Sequence, residues 1–447
     1  MRWIPLSLLI TLTTSSGLSA QVLTVEEAVG SALVANPAVQ AAAARAGAGT
    51  SRVKQAKGHR WGRLDLAETF NYSNNPAEVF ALSLNQRRFD FDEFFSSDPN
   101  RPPALATWMT TLDLALPIYT GGMIGARIEQ AETMAGAGHE TWLHTTELVA
   151  FDTSTAYVNL AKARENVELL GKARSTTAEH VKLAEAYAEQ GIILSADVLD
   201  ARVYLSEMDD LLQQAKNGSQ LAEAALNFHM GADQATPRRL APLPPQQSIS
   251  GELDDWTAAA VDRRHDLAAA RQQLAAGRLE TKVAKSGYLP EVAIVGRYGL
   301  YDDNIFGANG HSGTIMAVAK INLFGGIADG GAHKAAELDT VSFEADIRRF
   351  EEGVRLEVRQ AWQDLSTARS RHTTAQDVLS AANEALRVRE HRFKQGLDKM
   401  VDLLDSETAL REAETRELVA RFDVALSTYR LHFVSGATLI PSMEESR

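Results

Sequence analysis

Apolar and polar residues alternate in four short stretches of this chain. From Arg63 to Tyr72, Leu64, Leu66, Phe70 and Tyr72 occupy one parity, and Arg63, Asp65, Thr69 and Asn71 the other. From Thr107 to Leu116, Trp108, Leu112, Leu114 and Leu116 alternate with Met109, Thr111, Asp113 and Ala115. Val292, Ile294, Tyr298 and Leu300 alternate with Glu291, Ala293, Arg297 and Gly299, and a less regular stretch covers Thr314 to Asn322. A period of two predicts β-strands with one apolar and one mostly polar face. About ten residues is what a tilted barrel strand needs to cross a bilayer.

After each strand pair the period changes. A polar, Ala-rich helical run of roughly seventy residues follows Gly121-Gly122, and another follows Gly325-Gly326. At about 1.5 Å per residue such a helix is roughly 100 Å long. Patterns this long suggest a coiled coil, a membrane span or a helical repeat. Recurrent charges such as Lys162, Arg164, Glu165 and Glu168 exclude the span. The first run breaks at Glu189-Gln190-Gly191-Ile192-Ile193-Leu194-Ser195 and resumes with Val198, Ala201, Leu205, Met208 and Leu212 at steps of three and four. The second breaks at Lys394-Gln395-Gly396-Leu397-Asp398-Lys399-Met400, and Leu403, Ser406, Leu410 and Ala413 keep the same phase. Small residues at such seams let helices approach closely.

The punctuation is periodic. Gly121 and Gly326 lie 205 residues apart, and so do Gly191 and Gly396, which argues for an internal duplication. Ahead of the strands, Ala56 and Ala284 are equivalent at an offset of 228, so the first inter-strand loop is 23 residues longer. That loop carries Phe89, Phe91, Phe94 and Phe95; an interfacial girdle, a cover for a barrel mouth and an ordinary packed loop all fit it. Helices are expected over 24–58, started by a Thr24–Glu27 capping box and kinked at Asn36-Pro37, and over 253–285. The expected organisation is a signal peptide over 1–20, a first repeat over 21–236, a linker over 237–252, a second repeat over 253–437 and a tail over 438–447.

The amino terminus places the chain. Arg2, the apolar stretch Ile4 to Thr11 and the small residues Leu18-Ser19-Ala20 read as a cleaved secretory signal. A net charge of −13 disfavours nucleic acid and anionic lipid surfaces. No cysteine is present, which excludes disulfides and thiolate metal sites. Enzyme signatures are weak. His139-Glu140 and His144 miss the zinc-binding spacing, and the Gly-Gly pairs lack the Lys-Ser/Thr of a phosphate loop. Four strands cannot close a barrel, and an open edge in lipid leaves backbone groups unsatisfied, so membrane strands here require several chains to share one barrel.

In order, duplication and spacing, the chain resembles the TolC-like outer-membrane efflux family over essentially its whole mature length. The residues that carry the resemblance are Asn36-Pro37, Phe80-Ala81-Leu82-Ser83-Leu84-Asn85-Gln86-Arg87-Arg88-Phe89, Pro117 to Gly122 with Asn322 to Gly326, and the two tips. The fold implied is mainly α with a small membrane β-barrel: long helical hairpins forming a periplasmic tunnel, and four strands per chain in a twelve-stranded trimeric barrel. The resemblance implies a homotrimer in outer-membrane lipid, a periplasmic adaptor, an inner-membrane transporter and no catalysis; no cofactor or metal is expected. It implies adaptor docking at the tips, with Gly191, Ile192, Ile193 and Ser195 in the first and Gly396, Leu397 and Met400 in the second. Asp402 and Asp405 match aspartates that ring the periplasmic entrance, with Ser195 and Asp200 taken as their first-copy equivalents. Asp402 also suits a helix start, where an acid meets the positive helix end. The alternative is a secreted, non-conducting coiled-coil bridge or adaptor of the cell envelope.

Overall fold

The computed structural model describes residues 22–244 and 249–437. The expected signal peptide and C-terminal tail lie outside the described residues. The described residues divide into two units, one built from residues 22–40, 145–244, 249–263 and 354–437, the other from 41–144 and 264–353.

The duplication holds to the residue. Helices α1 (Val25–Ala35) and α2 (Pro37–Gly58) recur 228 residues later as α7 (Leu253–Arg263) and α8 (His265–Ser286), with identical lengths of 11 and 22 residues. Helices α5 (Met123–Glu189) and α6 (Ser195–His229) recur 205 residues later as α9 (Ala328–Lys394) and α10 (Met400–Val434), again with identical lengths of 67 and 35. The Thr24–Glu27 capping box is present, and the helix breaks at Asn36, whose Oδ1 accepts from Ala38 N at 2.8 Å. The single helix expected over 253–285 is instead broken at Arg264, which shares the extended backbone of Asn36 (φ −64°, ψ 121° against −67°, 124°). No proline marks this second break; the Arg264 guanidinium folds onto Asp266 at 2.6 Å instead.

In the unit holding residues 41–144 and 264–353, β2 (Arg63–Ser73), β3 (Leu105–Thr120), β5 (Glu291–Asp302) and β6 (Gly310–Lys320) form one antiparallel sheet in the order β2-β3-β5-β6. The register places Leu66, Leu112, Tyr298 and Gly313 in one row and Asp65, Asp113, Arg297 and Thr314 in the adjacent row. One face is therefore apolar and the other polar, as the alternation requires. Arg297 Nε donates to Asp113 Oδ1 at 2.5 Å, pinning β5 against β3 on the polar face. On the opposite face Leu64, Leu66, Phe70, Tyr72 and Ile315 are exposed. Strand β3 runs further than predicted; Pro117, which has no N–H to pair, sits at a register shift before Tyr119. Strand β6 begins four residues earlier than predicted and ends before Asn322, because Gly310 to Gly313, read from sequence as loop, pair with β5. At the sheet-to-helix turn Gly121 has φ +61°, and a Cβ there would lie 2.7 Å from Ser286 O, so the change of direction needs glycine.

The long first inter-strand loop is folded. Asn75 caps α3 (Pro76–Asn85) and Asp90 caps α4 (Phe91–Ser96). Phe80, Phe89 and Phe94 pack with centroids 5.2 to 5.6 Å apart, while Phe91 and Phe95 stay exposed. Arg88 pairs with Asp303 at 2.6 Å, tying this loop to the one between β5 and β6.

In the other unit the expected linker is stitched down. Its residues Arg239–Leu240 (β4) pair in parallel with Val22–Leu23 (β1). The buried Tyr157 hydroxyl lies 2.8 Å from the carbonyl oxygens of both Leu23 and Ala241. Burial, chiefly, pushes its pKa up to about 12.

Candidate functional site at the helix tips

Both breaks between long and short helices lie in the same unit and have the same backbone. Gly191 (φ +72°) and Gly396 (φ +71°) are left-handed C′ residues. Gly191 N donates to Ala188 O and Ile192 N to Tyr187 O, at 3.0 and 2.9 Å. In the second tip Gly396 N donates to Phe393 O and Leu397 N to Arg392 O, at 2.9 and 3.0 Å. These paired bonds satisfy the last carbonyls of each long helix, and the left-handed residue favours glycine.

Beneath the tips one core draws on all four helices. It joins Val181 and Ala184 of α5, Val198 and Ala201 of α6, Leu386 and Phe393 of α9, and Met400, Leu403 and Leu404 of α10. The residues expected at the docking surface divide here. Met400 is 1% exposed and belongs to the core, and Ile193 packs partly against it. Met400 therefore offers no free surface, and Ile193 offers only part of its side chain. Ile192 (55% exposed), Leu397 (63%) and Leu194 (72%), the last missed as a site residue, project outward. Ser195 is the exposed first residue of α6.

The second tip carries a charge clamp. Asp398 Oδ1 accepts from Arg392 Nε at 2.9 Å and Oδ2 from Arg389 Nη1 at 3.2 Å. Cover by these groups works against its charge, but the two guanidinium groups prevail and hold its carboxyl below the usual range. Lys399 continues the tip with an N–H that donates to Asp402 Oδ2 at 3.3 Å.

Asp402 and Asp405 both lie in the first two turns of α10, Asp402 half-buried and Asp405 exposed. Asp402 accepts the cap bond that a helix-start acid should accept. The helical register corrects the expected first-copy equivalents. At the offset of 205 residues, Asp197 stands opposite Asp402 and Asp200 opposite Asp405, while Ser195 corresponds to Met400. Asp197 Oδ2 accepts from Leu194 N at 3.0 Å, repeating the Asp402 bond. Each chain thus presents two Asp-x-x-Asp pairs, one per copy, with each pair on one helix face. The sequence carried this signal in Asp197-Val198-Leu199-Asp200 beside Asp402-Leu403-Leu404-Asp405; strict use of the 205-residue offset finds it.

No helix among the described residues is long and apolar enough to cross a membrane. His139, Glu140 and His144, which mimic a zinc pattern, lie elsewhere: His139 packs on Trp142, and Glu140 pairs with His265 at 2.7 Å.

The family model described as "Outer membrane efflux protein" matches residues 28–232 and 256–437, one match per copy. Protein CyaE of Bordetella pertussis is 26% identical over 329 residues, covering 72% of this chain and 69% of that protein. Outer membrane protein TolC of Vibrio cholerae is 22% identical over 321 residues, covering 69% and 72% respectively. The crystal structure of the Campylobacter jejuni CmeC outer membrane channel superposes with a TM-score of 0.80 at 14% identity, over 94% of this chain and 88% of that one. With both copies matched in order, this chain belongs to the outer membrane efflux protein family, and its function is that of an outer-membrane channel for efflux or secretion.

Proposed function

We propose that three copies of this chain join their four-stranded sheets into one twelve-stranded barrel in the outer membrane, delivered there by the cleaved signal over residues 1–20. The observation that carries this reading is the sheet itself. It has two unpaired edges, β2 and β6, and an exposed apolar face. In lipid neither edge is tolerable unless another chain pairs with it. Three sheets give a barrel wide enough for a water-filled lumen.

The long hairpins continue the conduit into the periplasm, where a periplasmic adaptor, coupled to an inner-membrane transporter, docks on Ile192, Leu194 and Leu397. Exposed apolar side chains clustered beside glycine turns need a partner. Asp402 and Asp405 ring the entrance and favour cations. The chain performs no chemistry on its cargo.

Because the chain lacks cysteine, edge pairing can be tested cleanly. Single cysteines at Ala67, Thr69 or Asn71 in β2 are combined with one at Ser312 or Thr314 in β6. Oxidation of one combination should give a covalent trimer on denaturing gels. Monomers alone from every combination, with the protein folded in detergent, would refute the shared barrel.

A further inference from the structure

Just below the tips, a histidine and a carboxylate are buried against each other. His180 of α5 pairs through Nδ1 with Glu407 of α10, and their side chains are only 12% and 7% exposed. Thr177, one turn before His180, donates its hydroxyl to Glu407 Oε2 at 3.4 Å. From α9, Glu390 lies 3.9 Å from His180 Nε2, and Lys394 pairs with Glu390 at 3.7 Å. Arg411, one turn beyond Glu407 on α10, has a buried Nε without a hydrogen-bond partner. From α6 comes Tyr204, whose hydroxyl is hydrogen-bonded to Thr408. Three helices therefore meet at one ionisable group. The pair sits beside the core that holds Leu403 and Leu404, and Glu407 lies two residues past Asp405.

The pair exists in one copy only. At the 205-residue offset, Glu407 corresponds to Arg202 and His180 to Ala385. Arg202 instead pairs with Glu185 at 2.6 Å, so no histidine stands in the matching pair of the other copy. The duplicated scaffold has thus placed a group that changes charge near neutral pH on one side alone.

We propose that His180 is a positioning residue for the entrance carboxylates: through Glu407 it clamps the first two turns of α10 to α5 and α9, and it releases them as it loses its proton. This rests on the reading of Asp402 and Asp405 as the entrance ring. Burial disfavours the imidazolium, but Glu407, with help from Glu390 and against Lys394, prevails and raises the pKa of His180 above its ordinary value. A raised histidine pKa means the clamp is fully engaged below about 6.5, the unfolded value, and is lost as pH rises through the folded value. Deprotonation leaves Glu407 charged and buried against a neutral ring, which favours separation of α10 from α5.

The test is hydrogen exchange of the full-length protein in detergent, read on peptides covering residues 399–410 and normalised to intrinsic rates from acid to alkaline pH. The wild type should lose protection severalfold as pH rises past neutrality. His180→Gln and Glu407→Gln should each abolish this dependence, and Arg202→Gln should leave it in place. A flat wild-type profile overturns the proposal, and so does a pH transition retained in both clamp variants; if one of them does not assemble, the other decides. Conductance measured in parallel separates this proposal from the reading beneath it. An exchange profile that depends on His180 beside conduction indifferent to Asp402 and Asp405 keeps the clamp and removes the entrance ring. Conduction that depends on the aspartates beside exchange indifferent to His180 removes the clamp and keeps the ring.

Discussion

Met400 and Leu397 are three residues apart at the second tip, yet their truncation should have opposite consequences. Met400 is 1% exposed and packed in the four-helix core, whereas Leu397 is 63% exposed. Truncating a fully buried methionine to alanine removes its transfer free energy and leaves a cavity, a loss of about 2–5 kcal/mol. At the end of a helix, where neighbours can relax into the space, the lower part of that range applies, about 2–3 kcal/mol. Since about 1.4 kcal/mol is a factor of ten, Met400→Ala should raise the local opening equilibrium about thirtyfold or more. Leu397→Ala should change local stability by no more than about 0.5 kcal/mol, roughly twofold. A single unfolding free energy is ill-defined for a large assembly, so native-state hydrogen exchange on peptides around residues 396–404 is the suitable assay. Adaptor binding, measured on the same proteins, should fall for Leu397→Ala while its exchange stays near wild type. Met400→Ala should exchange faster. Leu397→Ala accelerating exchange while Met400→Ala does not would refute this division of the tip.

Three further outcomes follow from the geometry. Gly191→Ala and Gly396→Ala place a Cβ on left-handed residues and should each destabilise their tip by about 1–2 kcal/mol, seen as faster exchange confined to that tip. The lowered pKa of Asp398 means its clamp is engaged above the unfolded value of about 3.9 and is lost as pH falls through the lower folded value; protection over residues 396–399 should therefore drop only in strong acid, and Asp398→Asn should abolish that acid step. Tyr157→Phe removes the buried hydroxyl facing Leu23 O and Ala241 O and should cost about 1–3 kcal/mol, read as exchange and protease sensitivity at β1 and β4.

Much of this architecture was legible because its signals repeat. Punctuation such as Gly191 and Gly396 fixed an offset that the helices obey to the residue, and period-two stretches located all four long strands. Misses came where the local signal is weak or shared. The break at Arg264 lies in a pattern that is helical on both sides, without the proline that marks Asn36-Pro37. Two-residue strands such as β1 and β4 are too short to show a period. Gly310 to Gly313 read as loop because glycine weakens strand propensity, and only the partner strand β5 recruits them. The helices α3 and α4 did carry cap signals, Asn75-Pro76 and Asp90, hidden inside a segment read by its aromatic content. At the tips, composition alone could not separate Met400 from Leu397. Both are apolar and adjacent to glycine, and burial is decided by which face of α10 meets α6 and α9.

Single-channel recording in planar bilayers decides whether this protein is a conducting trimer entered past carboxylates. Wild-type protein should give small cation-selective steps, and Asp402→Ala/Asp405→Ala should enlarge the steps or remove the selectivity. Well-folded protein that gives no steps would contradict the account and favour a non-conducting bridge.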